Sequence, residues 1–526
     1  MKKFALILCT TMVLNLAGVT AQAETAGTVQ KDNLFPVRYI CESLGAKISW
    51  NAKQKTVTVK YRNKSLELKL GSKTIISNGK QKNLENEIST SGGRALLPVS
   101  VLNNELGLNL SEQDCLSIVG KKFIGLLKDK SYEEADALLS RTFSNYLTPS
   151  SMEHLTEGIP ELELQPDNEG IRYWRNSLHQ ILGIPLKDKQ NTYYAIRFDY
   201  EGKIDELGNW EQQPEAAPAP DYASEESFSE TDVVIGTGAW KLPGTLTMPK
   251  GTGPFRAVIL IHDAGPADRD ETTGYLKPFR DLAQGLASRN IAVLRYDKRT
   301  LIHSSKLKLI GNLTLNEETE QDAYAAAEFL KTVKGIDKSG IIALGHSLGG
   351  YAVPRILATG GSTFHAGIIM NGFTRPQYEL FPDYLGYLEG KGLASAGQVE
   401  YVKTQVDMLS SADFNFKKPP EGYTMGNLHY YSYMKDYAVM AQAGEIDKPV
   451  LVMQGQRDFI VSADIDFNNW KEALKQNVNA RFKLYPNLNH LFTEGEGDST
   501  PQEYYSKTNI PQYVIDDIVN FINELE

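Results

Sequence analysis

Five runs of apolar residues that do not alternate with polar ones constrain this chain more than any other feature. They cover 256–261, 291–296, 340–344, 366–370 and 449–453. A strand with one wet face alternates, whereas a run that stays apolar throughout belongs to a strand covered on both faces. Helical periodicity over 281–288 and 317–333 fills two of the intervals. Strands and helices in alternation predict a mostly parallel sheet with helices on both faces, spanning residues 231–526.

A pentapeptide sits at one of these strand ends. Gly345-His346-Ser347-Leu348-Gly349 follows an apolar run and precedes a helical stretch over 350–357. That context gives a G-x-S-x-G sequence its meaning as a strained strand-to-helix turn that lifts the serine above the sheet. A serine hydroxyl is a poor nucleophile until a base takes its proton. On this architecture the partners follow in the order acid, then histidine. His490 is the one histidine beyond Pro449, and it lies in a polar loop after the strand-like stretch 480–485. Gln454-Gly455-Gln456-Arg457-Asp458 follows the run 449–453, which sets Asp458 at the carboxyl edge of the sheet as the expected acid. Asp464 and Asp466 are its rivals, set where a helix start would use them as caps.

Acyl transfer also needs backbone N–H donors for a developing oxyanion. Leu348, directly after the serine, supplies one. Ala264 supplies the other from His262-Asp263-Ala264-Gly265-Pro266, with Gly265 as the alternative. Asp263 stands where glycine is usual in such loops, and His262 reads as a structural residue. No cofactor and no metal are called for.

With these residues in hand, the chain resembles bacterial α/β-hydrolases, secreted or cytosolic. The similarity is carried by 262–270, Arg295-Tyr296-Asp297-Lys298-Arg299, 345–350, 454–458 and Asn489-His490, and it covers about 300 residues. It points to esterase-like members related to the dienelactone hydrolase and serine aminopeptidase groups. The resemblance implies an α/β-hydrolase fold and hydrolysis of small to medium acyl esters through an acyl-enzyme. A serine peptidase or aminopeptidase with the same triad, and a catalytically silent surface-binding protein, are the alternatives. Asp268, Arg269, Asp270, Asp297 and Arg299 are expected to form ion pairs beneath the pocket, with contact to a substrate carboxylate as the alternative. Between 370 and 449 lie about 80 residues, far more than the few that usually join a strand to the next element. A helical lid over 374–446 is therefore expected. Its Tyr423, Tyr430, Tyr431, Tyr433 and Tyr437 either line an apolar pocket or pack the lid onto the sheet.

The front half reads differently. Lys2 and Lys3, an apolar run over 4–19 and Ala21-Gln22-Ala23 form a signal peptide over 1–23, so an exported or surface-associated protein is expected. No later run reaches the ~20 apolar residues of a membrane helix. Residues 24–110 form a small β-rich module. Two Pro-led helical turns echo each other, 35–40 closed by Leu44-Gly45 and 97–102 closed by Leu106-Gly107. With Ala46-Lys47-Ile48-Ser49-Trp50-Asn51 they resemble the copper amine oxidase N-terminal-like domain, which implies a surface-attachment or spacer role, or a folding accessory. Residues 111–212 read as a separate small α+β domain, with His154 and His179 as packing or surface residues. A stiff Pro/Ala/acidic linker follows over 213–230. Cys41 and Cys115 thus fall in different expected domains and are expected to stay free. A net charge of −10 without a basic cluster excludes a nucleic-acid partner.

Overall fold

A computed structural model describes residues 34–91, 94–158, 170–187 and 191–525. The expected signal peptide and His154's side chain lie outside the described residues. The chain divides into two compact units. One comprises Gln213–Ile302 and Gly311–Glu526; the other runs to Gln212 and takes in His303–Ile310.

The C-terminal unit is an α/β-hydrolase. Its eight strands are β1 (Phe228–Ile235), β2 (Leu242–Pro249), β3 (Phe255–Ile261), β4 (Ala292–Tyr296), β5 (Ile336–His346), β6 (Ala366–Met370), β7 (Val450–Gly455) and β8 (Ala480–Tyr485). They lie side by side in the order β1-β2-β4-β3-β5-β6-β7-β8. From β4 to β8 every pairing is parallel. β1 and β2 are antiparallel additions at one edge. The apolar runs form the buried centre, because helices cover both faces. On one face α1 (Pro278–Ala287) and the C-terminal helix Gln512–Asn523 bury Leu282, Leu286, Ile515 and Ile518 against Val258, Val293, Ile342 and Leu344. Each such side chain contributes about 1.5–3 kcal/mol on burial.

The antiparallel edge is not legible as strand. β2 carries Pro243, Gly244 and Pro249, which read as turn residues, and β1 begins at Phe228, inside the stretch read as linker. Pairing overrides both signals: Thr247 is buried and donates its hydroxyl to Glu230 Oε1 at 3.1 Å.

The N-terminal unit has a five-stranded antiparallel sheet over residues 47–83, a three-stranded sheet and a four-stranded sheet over residues 172–211. Gly45 (φ 82°) and Gly107 (φ 68°) close the two echoing helical turns in the left-handed conformation that glycine allows. Residues 24–110 and 111–212, read as separate domains, share one hydrophobic core that runs from Phe35 to Leu207. The helix Glu112–Lys128 joins them, burying Cys115, Leu116, Val119 and Phe123 in it. Cys41 and Cys115 are both in this core and both unpaired. Burial pushes each thiol up to about 12, so neither is a thiolate at neutral pH.

The helix Ser304–Ile310 completes the same unit. Ser305 N donates to Glu206 Oε1 at 3.1 Å, and Lys306 Nζ stands 3.8 Å from Asp205 Oδ2. Asp205 also meets His179 Nε2 at 3.0 Å. Buried charges persist only with such partners; burial pulls the His179 pKa down, so His179 is a fully buried, neutral partner of the Asp205 carboxylate.

Candidate active site

Every expected site residue stands at the carboxyl edge of the sheet. β5 ends at His346, and α2 (Leu348–Thr359) starts one residue on. Ser347 lies between them with φ 51° and ψ −108°, a strained conformation that its surroundings enforce. Its N–H donates to Met370 O at 2.9 Å. A Cβ at Gly345 would overlap the Gly349 carbonyl, and one at Gly349 the Ile261 carbonyl. Only glycine at both ends lets the turn close this tightly.

Asp458 and His490 approach from the loops after β7 and β8. His490 Nδ1 lies 2.8 Å from Asp458 Oδ2. The other oxygen of Asp458 accepts Ile460 N at 2.8 Å and Val461 N at 2.9 Å, which fixes the carboxylate. The backbone of His490 is held through its carbonyl, which accepts His346 Nε2 and Asn371 Nδ2, each at 2.8 Å. Asp466 serves elsewhere: Oδ1 accepts Thr374 N at 2.9 Å and Thr374 Oγ1 at 2.8 Å.

Loop 262–266 is tied at almost every residue. His262 is buried between Phe279 and Tyr296, with Nε2 2.9 Å from Asp268 O. Burial pulls its pKa down to about 4, so it is neutral and structural. Asp263 N donates to Glu271 Oε1 at 2.7 Å, and Gly265 N to Glu318 Oε1 at 2.9 Å. Of the two candidate donors, Gly265 is therefore engaged by Glu318. Ala264 N points at Asp263 Oδ1 at 2.6 Å, and Leu348 N reaches the same oxygen at 3.4 Å. Asp263 Oδ2 lies 3.6 Å from His490 Nε2, an ion-pair distance that leaves Nε2 without a hydrogen bond.

Burial works against charge on His490, yet Asp458 and Asp263 together push its pKa up to about 10. Burial likewise opposes charge on His346, but Glu271 Oε2, 2.9 Å from Nδ1, raises it. Burial would raise Asp263, yet His490, His346 and Ser347 hold it well below the usual carboxylate range. Asp263, Glu271, His346 and Asn371 thus shape the site beside the expected residues. Asp263 had drawn notice only as the residue standing where glycine is usual, and nothing in the sequence signalled the parts played by Glu271, His346 and Asn371, since each acts through a contact across the fold.

The charges read as ion pairs are satisfied within the protein. Arg269 grips Asp297 with Nε and Nη2, each at 3.0 Å, and Arg299 pairs with Asp322. Asp270 meets Lys277 and Arg295, and Asp268 accepts the Thr272 hydroxyl.

Phe373, Leu380, Phe381, Tyr384, Ile460 and Leu491 give the cavity over Ser347 apolar walls. None of the five tyrosines named from the sequence lines it. Tyr437 stacks on Tyr351 with centroids 4.7 Å apart, and Arg355 sits 4.0 Å over its ring. Tyr430 is buried and Tyr423 packs on Phe414. Tyr437 thus packs the 374–446 segment onto α2 and Tyr423 packs within that segment, while Tyr384 and Tyr504 reach the cavity. Among the described residues no three His, Cys, Asp or Glu side chains cluster as metal ligands.

Comparison with known proteins agrees with this architecture. Family models match for the copper amine oxidase N-terminal domain over residues 15–114, the prolyl oligopeptidase family over 279–384 and the dienelactone hydrolase family over 421–515. Esterase EstD of Thermotoga maritima is 32% identical over 405 residues, covering 76% of this chain and 93% of that protein. A non-heme haloperoxidase of Rhodococcus erythropolis is 24% identical over 266 residues, covering 47% and 90%. Among solved structures, Est1E from Butyrivibrio proteoclasticus covers 56% of this chain and 99% of its own, at 17% identity and a TM-score of 0.37. By the extent and identity of the first relative, the chain belongs to the family of serine hydrolases that includes Esterase EstD.

Proposed function

We propose that this enzyme is a carboxylic-ester hydrolase working through Ser347, His490 and Asp458. The observation that carries the reading is the 2.8 Å Asp458–His490 pair beside a serine held on a strained turn. His490 Nε2 takes the Ser347 proton as Oγ attacks the acyl carbon. The carbonyl oxygen becomes an oxyanion held by Ala264 N and Leu348 N. Collapse breaks the ester C–O bond, and the proton on His490 leaves with the alcohol. Water then repeats the sequence on the acyl-enzyme, releasing the acid and restoring the serine. The apolar cavity suits small to medium acyl groups, and the likeness to an esterase supports the same class.

A peptidase is the second reading, favoured by the prolyl oligopeptidase match over 279–384. The two separate on one comparison. The purified full chain should hydrolyse p-nitrophenyl acetate and butyrate and leave aminoacyl-anilides untouched. Anilide turnover without ester turnover would reverse the order.

The enzyme is further proposed to act outside the cell after loss of residues 1–23, with the N-terminal unit as spacer or surface attachment. No helix among the described residues is long and apolar enough to cross a membrane. Protein recovered from expressing cells should begin at Glu24; an intact Met1 in the exported fraction would contradict this.

A further inference from the structure

The unexpected aspartate of the oxyanion loop occupies the place the reaction needs. One oxygen of Asp263 lies within reach of both Ala264 N (2.6 Å) and Leu348 N (3.4 Å), the two N–H groups that should hold a substrate's carbonyl oxygen. Its second oxygen faces His490 Nε2 at 3.6 Å, and the Ser347 hydroxyl lies beside the same carboxylate. A carboxylate so placed has the charge and planarity of the acid released by ester hydrolysis. The backbone cannot carry it away. Asp263 N is bound to Glu271 and its carbonyl accepts the Lys298 ammonium, while His262 is anchored through its ring at Asp268 O and Gly265 N at Glu318. Only side-chain rotation can clear the hole, and the side chain, 32% exposed, has room to turn towards solvent.

We infer that Asp263 is a built-in competitor for the oxyanion hole, which an acyl carbonyl must displace before Ser347 can react. The inference rests on the proposed roles of Ser347, Ala264 and Leu348. It makes Asp263 a gating residue that sets which acyl groups are turned over. An acyl group bearing its own carboxylate would meet a second negative charge and be rejected. A neutral one must outcompete the side chain for both N–H groups.

A second effect acts on the base. His490 is faced by Asp458, Asp263, Ser347, Tyr504 and the His346 ring, whose centroid lies 4.7 Å away and which is itself paired with Glu271. The carboxylate at Nε2 favours the imidazolium, which cannot accept a proton. Removing it should let His490 work at lower pH.

The test uses the full chain as wild type, Asp263→Ala, Asp263→Gly and Asp263→Asn. Labelling of Ser347 by a fluorophosphonate is followed from about pH 5 to about pH 10. Alanine and glycine empty the hole, so both variants should label about tenfold faster or more near neutral pH. Their acid limb should move down by about one pH unit. Butyrate should inhibit both competitively and more strongly than wild type, since it can enter the vacated site. Asparagine keeps a neutral oxygen in the hole, so Asp263→Asn should shift the limb with little acceleration. Labelling of Asp263→Ala at the wild-type rate with an unmoved limb would overturn the inference, and so would slower labelling. If neither wild type nor any variant is labelled at Ser347, the serine hydrolase reading itself falls. Labelled wild type with an indifferent Asp263→Ala sinks only the gating role.

Discussion

Replacing Ser347 with alanine should lower ester turnover by about six powers of ten while leaving the protein folded. The size of the loss follows from the acyl-enzyme: without Oγ no bond to the acyl carbon forms, and only binding and the oxyanion donors remain. The fold should survive because the strained turn is set elsewhere. Gly345 and Gly349 make the close approach, and the Ser347 N–H bond to Met370 O does not involve the side chain. Thermal unfolding and p-nitrophenyl butyrate turnover, measured on one preparation, provide the check. Residual turnover within tenfold of wild type would remove Ser347 from the chemistry.

Asp458→Asn should cost about four powers of ten in turnover, also with the fold retained. Asparagine can keep an oxygen on Ile460 N and Val461 N, where Asp458 Oδ1 now sits. Its amide then presents N–H groups to His490 Nδ1, which fixes the wrong tautomer and withdraws the countercharge. The sign of the pH effect follows from the same contact. Asp458 raises the His490 pKa, so losing it lowers that pKa and moves the remaining activity's acid limb to lower pH. Asp466→Asn provides the contrast. Its carboxylate holds Thr374 N and Oγ1 in a buried site, so the expected result is lower thermal stability with the pH profile unchanged. Were Asp466→Asn to lose turnover and Asp458→Asn to keep it, the acid would be Asp466.

Much of the C-terminal unit was legible because its signals are local. A strand buried on both faces must be apolar at every position, so β3, β4, β6 and β7 announced themselves within one or two residues of their ends, while β5 begins four residues before its apolar run. The order serine, acid, histidine then singled out His490, with Asp458 as the preferred acid, on loops that the sheet brings to one edge. The β1–β2 edge was hidden because its prolines, glycine and threonines are acceptable only once strand pairing and partners such as Glu230 are supplied.

The cavity shows where local reading stops. Five tyrosines close together in sequence left pocket wall and lid packing as equal alternatives, and stacking on Tyr351 and Phe414 assigns Tyr437 and Tyr423 to packing. Tyr384 and Tyr504, more than 100 residues apart, take the wall instead. The front half behaves likewise. A composition that reads as two modules folds around one core, because the helix Glu112–Lys128 has apolar residues enough to serve both.

By itself, then, the sequence determined the parallel part of the sheet, the strained turn and the residues expected to react, since each follows from periodicity or chain order. Only the tertiary structure decided what stands against the Ala264 and Leu348 N–H groups. Asp263 gains its place from Glu271, eight residues away, from His346 and Leu348 at the end of the neighbouring strand β5, and from Glu318, which takes the Gly265 N–H 53 residues on. A side chain's charge is written in the sequence, but the groups that meet that charge are chosen by the packing of loops from separate strands.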